Sequence, residues 1–143
     1  MNYLTCIAMT FSVYNNFYTN NMFHFSTKSK NILNSVNPKL QKLFNEVIKY
    51  YDISVISGFR TVEEQQELFK QNRSRCDGIN KISKHQTGNA VDIVPYPINW
   101  EDINKFCEVA GCIKTIAIQQ GLKVVWGGDW KNFKDYPHWE IED

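Results

Sequence analysis

The stretch that most constrains this chain is "NAVDIVPY", residues 89–96, an apolar run with a carboxylate at its centre. Alternate residues of a strand share a face, so Ala90, Asp92 and Val94 point one way and Val91 and Ile93 the other. A carboxylate among such neighbours is costly to bury without a partner. Three arrangements satisfy it: a hydrogen-bonded Asp, a solvent-facing strand edge, or a bound metal ion. Upstream, His85 precedes Gly88 and Asn89, a pair that turns easily and lets a hairpin-like run bring His85 back to Asp92. His138, in "DYPHWEI", is the third candidate ligand. A His, Asp, His set with an open fourth position is the pattern of a catalytic zinc site rather than a closed structural one. Asp135 stands three residues before His138, with Pro137 fixing the approach. A zinc hydrolase needs such a carboxylate, not itself a ligand, beside the attacking water. Spacing alone does not decide between this site and two ordinary surface turns. The remaining histidine, His24, lies between Phe23 and Phe25 and reads as incidental.

The surrounding segments set the architecture. "VNPKLQKLFNEVIKYYD" offers Asn37 as a helix cap and Pro38 at the first helical position. Leu40, Leu43, Phe44, Val47, Ile48 and Tyr51 then share one helical face, which marks a core helix. "ISVISGF", residues 53–59, reads as a strand ending at Gly58. In "TVEEQQELFKQ", Thr61 and Glu64 form a capping-box pattern, with Leu68 and Phe69 as the apolar side. Residues 72–84 are polar and read as a loop. Residues 90–94 form a strand, and a long helix follows, capped by Asn99 and stopped at Gly121. "LKVVW" is another strand, the adjacent Gly127 and Gly128 demand a turn, and "HWEI" is the last strand. Helices and short strands mixed without strict alternation predict an α+β fold, with a small, mainly antiparallel sheet flanked by helices.

A length of 143 residues, 43% of them hydrophobic and 14% aromatic, suits one globular domain and excludes a disordered chain. The net charge of +1, with Lys and Arg scattered among acids, offers no basic face for nucleic acid. Cys6, Cys76, Cys107 and Cys112 make no C-x-x-C pair and read as reduced packing residues, in keeping with folding in a reducing cytoplasm. The opening "MNYLTCIAMTFSVYNNFYTNNMF" has no early Lys or Arg and no good cleavage region, and is too short and polar to span a membrane. Residues 1–24 therefore read as an extension of the working domain, 25–143. Residues 1–21 are expected to be dispensable, and Met22 is an alternative start. A monomer is expected.

The motifs, taken in order, carry a resemblance. Ser83, His85, Gly88, Ala90 and Asp92 match the S-x-H-x-x-G-x-A-x-D motif of the VanY-like D-alanyl-D-alanine carboxypeptidase family of zinc peptidases. "DYPHWE" resembles that family's second motif, an acid three residues before the last zinc histidine. "SGFRTVEEQQELF" is similar to its upstream substrate-binding segment, and "WGGDW" to a stretch before the final motif. The likeness is closest to the short L-alanyl-D-glutamate endopeptidases of phage endolysin type and covers about residues 25–143.

The resemblance implies a D-Ala-D-Ala peptidase-like (Hedgehog-like) fold with a zinc site in a cleft on the sheet. It implies that His85, Asp92 and His138 bind Zn2+ and that Asp135 is the general base, where many relatives have Glu. It implies that Arg60 meets a substrate carboxylate, a role suited to its bidentate fork, and that Ser83 hydrogen-bonds near the site. The implied partner is the peptidoglycan stem peptide, cut between L-alanine and D-glutamate. The enzyme would be made in the cytoplasm and act on the cell wall after release. Two alternatives stand beside it: D-Ala-D-Ala carboxypeptidase or dipeptidase action, and a noncatalytic zinc-stabilised module that binds the wall. Whether Gln65 or Gln66 faces the cleft is open at this point. So is whether Trp126, Trp130 and Trp139 line the groove or fill the core, and whether Glu140, which shares strand parity with His138, supports it or is merely exposed.

Overall fold

A computed structural model describes residues 23–142. The chain runs α1 (Thr27–Leu33), α2 (Pro38–Val47), β1 (Ile53–Ser57), α3 (Val62–Lys70), a 3-10 turn (Lys84–Thr87), β2 (Ala90–Pro95), α4 (Ile103–Gln119), β3 (Val124–Trp126), a second 3-10 turn (Gly127–Asp129) and β4 (His138–Ile141). The four strands form one antiparallel sheet in the order β1-β2-β4-β3. This is the expected α+β architecture. The expectations for residues 1–21 and for Cys6 lie outside the described residues.

Local chemistry explains most of the elements. Asn37 caps α2 by accepting from the Lys39 amide, with Pro38 just inside the helix. Leu40, Leu43, Phe44 and Val47 are fully buried against α4 and the sheet, while Tyr51 is only half-buried and packs at the edge of the core. Thr61 and Glu64 form the full capping box of α3. Ser29 of α1 spans the outer edge of β1, donating to the Val55 carbonyl and accepting from the Val55 amide, so that edge is not left open to another chain.

Four expectations need correction. The apolar side assigned to α3 does not exist: Leu68 is half-buried, Phe69 is exposed, and the buried residue is Gln65. The long helix begins at Ile103, not beside Asn99. Asp102 caps it, because its carboxylate reaches the Lys105 amide and sits favourably at the positive helix end, whereas Asn99 makes a tight turn through the Glu101 amide. The run from His85 to Asp92 is not a hairpin but a 3-10 turn leading into β2. Cys107 is exposed rather than packed in the core, while Cys76 and Cys112 are half-buried free thiols.

β2 positions the site. It is paired on both edges, and residues on both of its faces are buried. Its register sets Asp92 opposite His138 on β4 and opposite Ser57 at the irregular end of β1. Directly opposed residues lie about 5 Å apart at Cβ, close enough for their side chains to meet.

Candidate metal centre and its cleft

His85 reaches Asp92 through a short, well-specified turn. Ser83 Oγ accepts from the His85 amide, and Gln86 returns the contact to the Ser83 amide. Gly88 closes the turn at φ +71, a left-handed conformation that disfavours a side chain. The Gly88 carbonyl accepts from the Asn37 amide, which ties the turn to the cap of α2. His138 arrives from the other direction, on β4, immediately after a tight loop.

His85 and His138 are buried, with side chains 4% and 9% exposed. His85 Nδ1 lies 2.8 Å from the Gly58 carbonyl. A carbonyl only accepts, so Nδ1 carries the proton and Nε2 presents its lone pair. That lone pair faces Asp92 Oδ1 at 3.3 Å. His138 Nε2 lies 3.0 Å from Glu140 Oε2, which leaves Nδ1 facing the same Oδ1, again at 3.3 Å. Two imidazole nitrogens thus converge on one buried carboxylate oxygen that, among the described residues, accepts no hydrogen bond. Such a buried orphan demands a cation. A tetrahedral zinc with ligand bonds near 2.05 Å separates its donors by about 3.3 Å, the spacing seen for both His–Asp pairs. All three donor atoms lie within 4.8 Å of one another, and each histidine has an acceptor behind it that fixes its ring. The residues fit a metal ion.

The charges respond to this crowding. Burial acts to raise the Asp92 pKa, but the His138 and His85 rings hold it well below the ordinary carboxylate range. Burial acts to lower that of His138, yet the Asp92 and Glu140 carboxylates beside it prevail and push it up to about 9. Asp135 is raised, first by burial and then by the neighbouring Asp92 charge, against the pull of His138, His85 and Arg60. Its amide donates to the Gly127 carbonyl, and its own carbonyl accepts from the His138 amide. A methyl on Gly127 would collide with that Asp135 carbonyl oxygen and lie 3.1 Å from His138 Cβ. The first glycine of "WGGDW" therefore lets Asp135 and His138 come close.

These groups open onto one cleft of about 1590 Å³, lined by Arg60, Ser83, His85, Asp92, Asp135 and His138 among others. The half-buried Arg60 guanidinium donates to Gln65 Oε1 at 2.8 Å and to Ser57 Oγ at 3.2 Å. Among the described residues it has no carboxylate within ion-pair distance. Neither Gln65 nor Gln66 lines the cleft: Gln65 is buried behind Arg60 and holds the Ser74 hydroxyl and the Cys76 carbonyl with its amide. Trp130 lines the cleft, its ring 5.0 Å from that of His138, whereas Trp126 and Trp139 stack on each other in the core. Glu140 supports His138. His24 is exposed and far in sequence from any of these contacts. The Gly58 carbonyl behind His85, and Arg75 over the Phe133 ring, were not foreseen; backbone carbonyls and loop side chains leave no periodic signal.

An antiparallel sheet that holds such a donor set at the floor of a cleft has the fold of VanY-type peptidases. VanYB in complex with D-alanine-D-alanine aligns with a TM-score of 0.51 at 20% identity, over 73% of this chain and 67% of that one. The chain belongs to a narrower group, the phage L-alanyl-D-glutamate peptidase family, whose profile matches residues 21–143. It is 33% identical to the L-alanyl-D-glutamate peptidase of Escherichia phage T5, over 84% of this chain and 90% of that protein. It is also 33% identical to the peptidoglycan L-alanyl-D-glutamate endopeptidase CwlK of Bacillus subtilis (strain 168), over 65% of this chain and 62% of that protein. The L-Ala D-Glu endopeptidase ChiX of Serratia marcescens superposes with a TM-score of 0.74 at 30% identity, over 85% of this chain and 92% of that structure.

Proposed function

We propose that the chain is a zinc-dependent peptidoglycan peptidase that hydrolyses the bond between L-alanine and D-glutamate in the stem peptide of the cell wall, in the manner of an endolysin. The observation that carries the metal chemistry is the donorless, buried Asp92 Oδ1 between two imidazole nitrogens. The bond is supported by the names of the relatives. In this reading His85 through Nε2, Asp92 through Oδ1 and His138 through Nδ1 hold the ion. Bound zinc supplies Lewis-acid polarisation and makes water acidic enough to attack at neutral pH. Asp135 takes the proton from the attacking water and delivers it to the leaving amine, a shuttle helped by a carboxyl pKa above the usual aspartate value. A glutamate inside a peptide keeps one carboxylate free whichever carboxyl is in the chain. Arg60, a half-buried cation with no carboxylate in ion-pair contact among the described residues, binds that group. Ser83 holds the turn that carries His85.

The test is Asp135→Asn. It removes the base without touching a ligand, so the protein should keep one zinc per chain by elemental analysis while kcat falls about 10²-fold or more. A zinc-loaded Asp135→Asn protein with native turnover contradicts the assignment.

A further inference from the structure

Arg60 is held in the cleft by neutral side chains. α3 runs Glu63, Glu64, Gln65, Gln66, Glu67, and the residue it buries is a glutamine, not one of the acids. Gln65 is fully buried and does not line the cleft. Its Oε1 accepts from Arg60 Nη1 at 2.8 Å, and Ser57 Oγ accepts from Nη2 at 3.2 Å. Both acceptors are uncharged, so they orient the guanidinium without cancelling its charge. A glutamate in place of Gln65 would form the ion pair itself. The neighbouring acids are engaged on their own helix: Glu64 accepts from the Thr61 amide and Glu67 from the Gln71 side chain.

The other end of Gln65 is fixed as firmly. Nε2 donates to Ser74 Oγ at 2.8 Å and to the Cys76 carbonyl at 2.7 Å, which uses both of its protons. Gly78, at φ +83, packs on the same side chain: a methyl there would lie 3.0 Å from Gln65 Cγ. The Gly78 carbonyl accepts from Gln86 Nε2, and Gln86 Oε1 accepts from the Ser83 amide, at the start of the turn that carries His85. Reversing the Gln65 amide would aim its protons at the Arg60 guanidinium and its oxygen at the Cys76 carbonyl. One orientation alone pairs every polar atom of this side chain.

We propose that Gln65 is a positioning residue: clamped by the loop at Ser74 and Cys76, it presents Arg60 to the cleft as a charged, oriented donor and so sets the affinity for the substrate's carboxylate without touching substrate. The inference rests on the peptidase reading above and on Arg60 binding the free carboxylate of the glutamate. Loss of the clamp acts through Arg60 and raises KM with little change in kcat, as for any contact equally strong in the ground and transition states.

The test uses two synthetic peptides containing L-Ala–D-Glu, one with the glutamate's free carboxylate and one with the corresponding primary amide. Zinc-loaded native protein should show kcat/KM about tenfold higher on the acid, the effect of one charge-assisted hydrogen bond, carried by KM. Gln65→Met keeps the length of the side chain but neither end of the clamp. Its acid-to-amide ratio should fall to near one, with zinc content and kcat on the amide close to native. Gln65→Glu keeps the shape and sets a carboxylate on Arg60, so its ratio should also fall to near one even if Gln65→Met fails to fold. Arg73 and Arg75 line the same cleft, so Gln65→Met is repeated in an Arg60→Gln background. There the ratio should already be near one, and the second change should not alter it. Equal kcat/KM on both peptides for the native protein overturns the proposal, as does a native ratio in Gln65→Met or Gln65→Glu, or a preference that survives Arg60→Gln. An equal loss of kcat on both peptides in Gln65→Met, at an unchanged ratio, would make the role merely structural and overturn it too. Failure of the native protein to cleave either peptide would instead sink the peptidase reading itself.

Discussion

Replacing Gly127 with alanine tests how closely Asp135 and His138, the proposed base and ligand, must be packed. Gly127 has no left-handed backbone conformation, so the effect of the methyl is purely steric. The new Cβ would run into the Asp135 carbonyl oxygen, at 3.0 Å from Asp135 Cβ and 3.1 Å from His138 Cβ, where ordinary contacts begin at 3.4 Å. The oxygen belongs to the backbone and cannot swing aside as a side chain would. Relief requires Asp135 and the residues leading to His138 to move about 1 Å, a displacement that can cost about 10²-fold in rate. Overpacking also lowers stability by about 1–3 kcal/mol. The assay is kcat/KM on an L-Ala–D-Glu peptide together with thermal unfolding. The control is Gly111→Ala, in the middle of α4, where a methyl meets nothing within 4 Å. It should leave activity intact and raise stability by about 0.5–1 kcal/mol, because alanine is the better helix former. If Gly127→Ala kept activity within threefold of native, close packing would not be what positions Asp135.

Two further outcomes follow from the ligand environment. Glu140→Ala removes the acceptor behind His138. Zinc affinity measured against a competing chelator should fall about 10- to 100-fold, with Glu140→Gln partly restoring it; unchanged affinity in the alanine variant would deny Glu140 any supporting role. The His138 pKa of about 9 means that its ring is protonated at pH 7 in chelator-stripped protein. Zinc must displace the Nδ1 proton, so titration calorimetry in buffers of different ionisation enthalpy should show about one proton released at pH 7, falling towards none above pH 9. Release that did not change with pH would contradict this.

Much of the fold was legible because its signals are local. The cap at Asn37, the box at Thr61 and Glu64, and the helical stripe from Leu40 to Ile48 are each set by neighbours in sequence. The start of α4 was misplaced because Asn99 and Asp102 are both good caps, and only the turn at residues 99–102 decides between them. The missing apolar side of α3 has a tertiary cause: Gln65 is buried because it joins Arg60 to the loop at Ser74 and Cys76. A glutamine in that role carries no hydrophobic pattern. The Asp set in an apolar strand singled out three candidate donors, only the family resemblance implied them as ligands, and the strand register places His138 opposite Asp92. What holds the histidines was less visible. Glu140 shares a strand face with His138, but the Gly58 carbonyl is backbone from another element, which no residue type announces.

The most direct test of the central claim is mass spectrometry of purified peptidoglycan after digestion, with zinc-loaded protein and with the same protein stripped by a chelator. The account predicts zinc-dependent peptides that begin at D-glutamate, with L-alanine left on the glycan. Release of terminal D-alanine with the L-alanyl–D-glutamate bond intact, or cleavage that persists without metal, would contradict it.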